Sequence, residues 1–175
     1  MADETATETN YGPFWIGYKL RPATAIELNK QVARRVARAA DAKDLHTTLY
    51  YSKENPADNA WPEPNFIYTK VTISGLALLG GTSLVILVEP SAALSSRFND
   101  LKAKYPTDFP NWIPHITIAY DSNKDELAKM QLWLEENLGA EISLNGEVVE
   151  MVGDPSEKKD DETESDEASL SHSAL

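Results

Sequence analysis

Three histidines occur in 175 residues, and two of them stand in the same local sequence. His46 lies in "DLHTTLYY" with Thr48 two residues on; His115 lies in "IPHITIAY" with Thr117 at the same spacing. Both runs are rich in β-branched and aromatic residues and read as strands, in which side chains alternate between faces. His46, Thr48 and Tyr50 are therefore expected on one face, with Leu45, Thr47, Leu49 and Tyr51 on the other. His115, Thr117 and Ala119 are likewise expected to face away from Ile116, Ile118 and Tyr120. Two imidazoles directed into one groove suit general acid–base work near neutral pH. One can take a proton from an attacking hydroxyl while the other protonates a leaving oxygen. Each threonine hydroxyl can donate to a non-bridging phosphate oxygen and hold the phosphorus between the rings.

A single His-x-Thr in a strand is ordinarily structural. The repetition makes a site of His46, Thr48, His115 and Thr117, because both motifs end equivalent structural repeats. Other chemistries have less support. A metal site using Asp44 or Asp121 lacks any recognisable ligand spacing, and there is no His-Glu-x-x-His. Gly-x-Ser-x-Gly, a P-loop and Gly-x-Gly-x-x-Gly are all missing. No metal and no cofactor is expected.

The elements that must position the motifs follow a regular order. "PFWIGYKL" is a strand. "TAIELNKQVARRVARAA" is a helix with Thr24 and Glu27 at capping-box spacing, and "LHTTLYYS" is the next strand. A proline-rich loop leads to "FIYTKVTISGLALL" and "SLVILVEP", strands joined at Gly80-Gly81. "SAALSSRFNDLKAKY" is a helix before "IPHITIAY". "SNKDELAKMQLWLEENLG" is a third helix, with Ser122 and Asp125 at capping-box spacing, and "AEISLNGEVVEMV" closes as a strand. Strand–helix–His-x-Thr strand thus occurs twice. The fold class is α+β: two pseudo-symmetric strand–helix–strand lobes whose antiparallel sheets form a central groove.

Residues 1–10 and 153–175 are expected to be disordered around one bilobal domain, 11–152, because the tail is acidic, rich in serine and without aromatics. The formal charge is −12. The first ten residues carry −3 of it and residues 154–175 carry −6, so the folded middle holds only −3. That balance admits a small anionic ligand and argues against a long duplex. The apolar stretch 73–90 is broken by Ser74, Gly75, Gly80, Gly81, Thr82 and Ser83, which speaks against a membrane span. No cysteine is present, which fits a reducing, cytoplasmic setting, and oligomeric state is not encoded in any visible pattern.

Two His-x-Thr-apolar motifs ending two strand–helix–strand lobes resemble the two-histidine phosphoesterase superfamily. "YGPFWIGYKL", "DLHTTLYYS" and "FPNWIPHITIAYD" are similar to the phage anti-CBASS proteins within it, over about residues 11–152. The resemblance implies metal-independent cleavage of 3′–5′ linkages in cyclic di- and trinucleotide signals of bacterial anti-phage defence. It also implies attack by the adjacent ribose 2′-hydroxyl and a product ending in a 3′-phosphate. His46 and His115 become the acid–base pair, and Thr48 and Thr117 the phosphate donors. The alternatives are an RNA-end phosphodiesterase on 2′,3′-cyclic or 2′–5′ linkages, and a module that sequesters a nucleotide without cleaving it.

For the bases, Tyr11 and Trp15 are taken as ligand-facing, Phe14 being on the opposite strand face. Trp61 is read as a loop anchor or a lid, and Trp112 as a packing residue. Glu141 and Glu147 are possible acceptors from a guanine edge or plain surface carboxylates. Arg34, Arg35 and Arg38 are read as a solvated face.

Overall fold

The computed structural model describes residues 10–65 and 68–152. The two terminal segments expected to be disordered lie outside the described residues, Asn10 excepted, and so does His172. Among the described residues six strands form: β1 (Phe14–Leu20), β2 (His46–Ser52), β3 (Thr69–Leu79), β4 (Ser83–Pro90), β5 (His115–Ala119) and β6 (Glu141–Met151). Four helices accompany them: α1 (Pro22–Ala33), α2 (Ala92–Lys104), α3 (Lys124–Lys129) and α4 (Gln131–Asn137). Every strand pairs antiparallel with both neighbours, and the order β1-β2-β5-β4-β3-β6 closes into a barrel. The duplication expected from the sequence is present as β1–α1–β2 and β4–α2–β5, with the two motif strands adjacent.

The helix boundaries differ from expectation for local reasons. α1 starts at Pro22 rather than at Thr24, and its N-cap residue Arg21 makes no side-chain cap bond. Proline at the first helical position has a backbone already set for the helix and gives up an amide that has no partner there anyway, so the Thr24–Glu27 pairing is superfluous. α2 is capped by Ser91, whose hydroxyl accepts from the Leu94 amide. The expected third helix is split at Met130 into α3 and α4. Its cap is Asn123, which accepts from the Glu126 amide, and Ser122 instead donates to the Glu126 carboxylate.

One face of the strands and the helices share one core. Phe14, Ile16, Tyr18 and Leu20 of β1 pack in the same cluster as Leu28 and Val32 of α1 and Leu94, Phe98 and Leu101 of α2. Within it the Tyr50 hydroxyl donates to the Tyr105 carbonyl at 2.7 Å, and burial pushes its pKa up to about 12.

The charge buried in this core is Glu147, 2% exposed, which is neither a surface carboxylate nor a base reader. It accepts from Tyr18 Oη at 2.7 Å, from Arg97 Nη2 at 2.7 Å and Nε at 3.0 Å, and from the Asn65 amide at 2.9 Å. β1, β6, α2 and the long loop before β3 therefore meet on one carboxylate. The Glu147 hydrogen bonds hold the Arg97 guanidinium in its charged form. Burial, reinforced by Glu147, pushes the Tyr18 phenol far above its ordinary range.

Removing one member of such a pair leaves the other charge buried alone, which is costlier than replacing both. Arg97→Ala is expected to destabilise the chain by about 3–5 kcal/mol, read as a lowered urea midpoint. An unchanged midpoint would show that this network does not hold the lobes.

Candidate functional site

The motif strands meet at one cross-strand pair, Thr47 with Ile116. Continuing that antiparallel register by one residue each way sets His46 opposite Thr117 and Thr48 opposite His115. Each histidine thus faces the threonine of the other motif, as a twofold relation between the halves requires. The four residues expected from the sequence are brought together.

Facing is set by bulges rather than by simple alternation. In β2 the register against β1 runs Tyr18↔Thr47, Gly17↔Thr48, then Ile16↔Tyr50, so Leu49 is an extra residue. In β5 the register against β4 runs Ile86↔Ile116, Val85↔Thr117, then Leu84↔Ala119, so Ile118 is the extra residue. The bulge falls at the same place in both motifs, directly after the threonine. It returns the next two residues to the core, where Leu49, Tyr50, Ile118 and Ala119 are all buried. Tyr50 and Ala119 are therefore not on the groove face, contrary to the alternation expected of an unbroken strand. Tyr51 is instead turned to the Trp15 side.

Both imidazoles are tethered alike. His46 Nδ1 lies 2.8 Å from the Asp44 carbonyl, and His115 Nδ1 lies 2.8 Å from the Ile113 carbonyl. A carbonyl only accepts, so Nδ1 carries the hydrogen in each ring and Nε2 is left for chemistry. Burial pushes the His115 pKa below its ordinary value, against the smaller upward pull of its bond to Ile113. Its neutral, proton-accepting form is thereby favoured.

The aromatic neighbours divide. Trp15 lies beside the motif: Nε1 donates to Thr48 Oγ1 at 2.9 Å, and its ring meets the His46 ring edge-on at 5.5 Å. Tyr11, 50% exposed, sits just before β1. Trp112 stacks on Phe98 at 4.9 Å, and its Nε1 donates to the Thr48 carbonyl at 3.0 Å. It is thus a packing residue that also fixes the motif backbone. Trp61 anchors the long loop, packing on Phe14 and donating to the Gly12 carbonyl. Glu141 is exposed and pairs with Lys70, and Arg38 pairs with Asp121 in solvent. A cleft lined by Thr48, Tyr51, Phe109, Asn111, Trp112 and His115 opens beside the motifs.

Lys19 was invisible to sequence reasoning. It is exposed and pairs directly with His46 across β1 and β2, placing a cation on the groove side. Only the strand register could have revealed it. Among the described residues no cluster of three or more His, Cys, Asp or Glu could hold a metal ion. No helix among them is long and apolar enough to cross a membrane.

Several known proteins resemble the chain. At the level of fold, it is similar to E. coli LigT complexed with ATP, with a TM-score of 0.53, 13% identity and coverage of 81% of this chain and 87% of the other. LigT complexed with 3′-AMP gives a TM-score of 0.51 at 14% identity, covering 80% and 87%. At these identities the likeness establishes the fold alone. In sequence, an anti-CBASS protein Acb1 of Escherichia phage RB16 is 35% identical over 98 residues, 53% of this chain. The matched region spans about half the length of that phage relative, 54%. The family model of the anti-CBASS protein Acb1 matches residues 13–159. With the greater part of its length inside that match, the chain belongs to the Acb1 family of anti-CBASS proteins.

Proposed function

We propose that the chain is a phosphodiesterase that linearises cyclic di- and trinucleotide second messengers at 3′–5′ linkages and so shields a phage from CBASS immunity. The observation that carries this reading is the opposed pair of imidazoles, each tethered through Nδ1 and each facing the other motif's threonine, in a chain of the anti-CBASS family. On adjacent antiparallel strands the two histidines are diagonal neighbours, roughly 7–8 Å apart. That spacing admits a phosphodiester between them.

In the first step His115 Nε2 takes the proton of the ribose 2′-hydroxyl, whose oxygen attacks the adjacent phosphorus. His46 Nε2 delivers a proton to the departing 5′-oxygen, and a 2′,3′-cyclic phosphate forms. In the second step the roles exchange. His46 takes a proton from water, the water oxygen attacks phosphorus, and His115 returns its proton to the 2′-oxygen, leaving a 3′-phosphate. The depressed pKa of His115 favours its role as first base. Thr48 and Thr117 donate to the non-bridging oxygens, and Lys19 adds positive charge beside them. Tyr11 and Trp15 line the end of the groove where a base would stack.

Purified chain in excess EDTA is expected to linearise a 3′,3′-cyclic dinucleotide, and His46→Ala or His115→Ala to lower turnover by about 10²–10⁴-fold. Loss of activity in EDTA that a divalent cation restores would sink the mechanism. Cleavage of RNA ends alone would favour the RNA phosphodiesterase, and recovery of intact nucleotide after tight binding would favour sequestration.

The base needs His115 neutral, and its pKa lies below the ordinary 6.5. Activity should therefore survive acidification past that value, with the acid limb of kcat/KM centred lower. A limb centred above pH 6.5 would remove His115 from the role of first base.

Thr47 and Thr48 should separate sharply. The Thr47 hydroxyl is buried and finds no partner among the described residues, so Thr47→Val removes no hydrogen bond and should leave stability unchanged or improved. Thr48→Val should lower kcat by about 10²-fold. Equal loss of turnover in the two variants would contradict the strand facing.

A further inference from the structure

The hydrogen bond from Trp15 to Thr48 has a direction, and the direction constrains the threonine. Indole Nε1–H can only donate, and a hydroxyl has one proton and two lone pairs. At 2.9 Å the Trp15 indole therefore occupies a lone pair of Thr48 Oγ1 and turns its proton elsewhere. On the other side the Thr48 backbone is held by Trp112, which donates to its carbonyl. Hydroxyl and backbone are both fixed before any substrate arrives.

The bond depends on a missing side chain. β1 and β2 are paired so that Gly17 lies opposite Thr48, whereas Trp15 lies opposite Tyr51, beyond the bulge. To reach Thr48 the indole must cross β1 itself. Its Cζ2 and Cη2 atoms fill the space that a Cβ on Gly17 would need. Glycine at position 17 is thus required by close approach.

The other half of the molecule has no such arrangement. There the residue opposite Thr117 is Val85, whose side chain takes the place that Gly17 leaves open. The strand position corresponding to Trp15 is Ser83, two residues before Val85. The two His-x-Thr motifs are alike, but among the described residues an indole donor meets the hydroxyl of Thr48 and not that of Thr117. By register Thr48 faces His115, the imidazole that burial keeps neutral.

We propose that Trp15 is a positioning residue, seated over Gly17 and directing the Thr48 hydroxyl proton at one non-bridging oxygen of the scissile phosphate. This rests on the phosphodiesterase reading and deepens it: the site is directional, with one threonine preset and the other free to turn. Base stacking by Trp15 would act on binding. Positioning acts on the chemical step.

The test compares Trp15→Phe, Gly17→Ala, Thr48→Val and the Trp15→Phe/Thr48→Val double variant on a 3′,3′-cyclic dinucleotide and its Rp and Sp phosphorothioate analogues. Trp15→Phe keeps an aromatic ring and loses the donor; Gly17→Ala keeps the indole and displaces it. Both are expected to lower kcat by about three- to tenfold, the worth of one hydrogen bond, with KM little changed for Trp15→Phe, which keeps a ring for stacking. Both should shift the Rp/Sp preference in the direction that Thr48→Val does. In the Thr48→Val background Trp15→Phe should add almost nothing, because the two act through one bond. Additive losses in the double variant, or a raised KM at unchanged kcat, would overturn the proposal. Absence of turnover by the unaltered chain would overturn the phosphodiesterase reading itself, and this inference with it.

Discussion

The pairing of Thr47 with Ile116 is the contact on which the rest depends. Elsewhere in the barrel neighbouring strands share several paired residues; between the two motif strands there is one. That economy has a physical consequence. A single pair is enough to fix register, so each histidine is set against the opposite threonine. Residues outside the ladder brace the joint. The Ala40 amide donates to the Ile118 carbonyl, and the Tyr120 amide donates to the Arg38 carbonyl, so the segment after α1 holds the far end of β5.

The matched bulges answer a conflict built into the motif. His-x-Thr must present two polar side chains to the groove, and the chain must bury large residues at once to anchor the strand. Simple alternation would send Tyr50 or Ala119 into the groove beside the imidazoles. An extra residue after each threonine reverses the phase, so two successive residues reach the core. The apolar residue after each threonine is therefore the anchor that stops the strand from twisting the histidine away.

The order of elements and the pairing of the two motifs were legible because they rest on local signals: periodicity, glycine turns and a repeated tripeptide. Facing beyond Thr48 and Thr117 was not, since a bulge is a property of two strands and leaves no mark on one. Glu147 looked like a surface carboxylate on an alternating strand; its burial follows from Arg97 and Tyr18, 50 and 129 residues away. Lys19 and Gly17 gained meaning only from their partners across β2. The start of α1 was misplaced for a simpler reason: Pro22 nucleates the helix without the cap that Thr24 seemed to supply.

A duplicated architecture need not give a symmetric site. Both motifs repeat the same tether, from Nδ1 to the carbonyl two residues back, and the same bulge, so the scaffold treats its two imidazoles alike. The differences lie around them. His115 is the imidazole whose proton affinity burial depresses. Lys19 stands across from His46, whereas Leu87 stands across from His115. Gly17 admits an indole against Thr48, and Val85 closes the equivalent space at Thr117. In the proposed mechanism the two groups exchange protons between steps, so a site whose halves differ can distinguish one step from the other. Symmetry supplies the opposed pair, and the side chains that break it give the two imidazoles unlike surroundings.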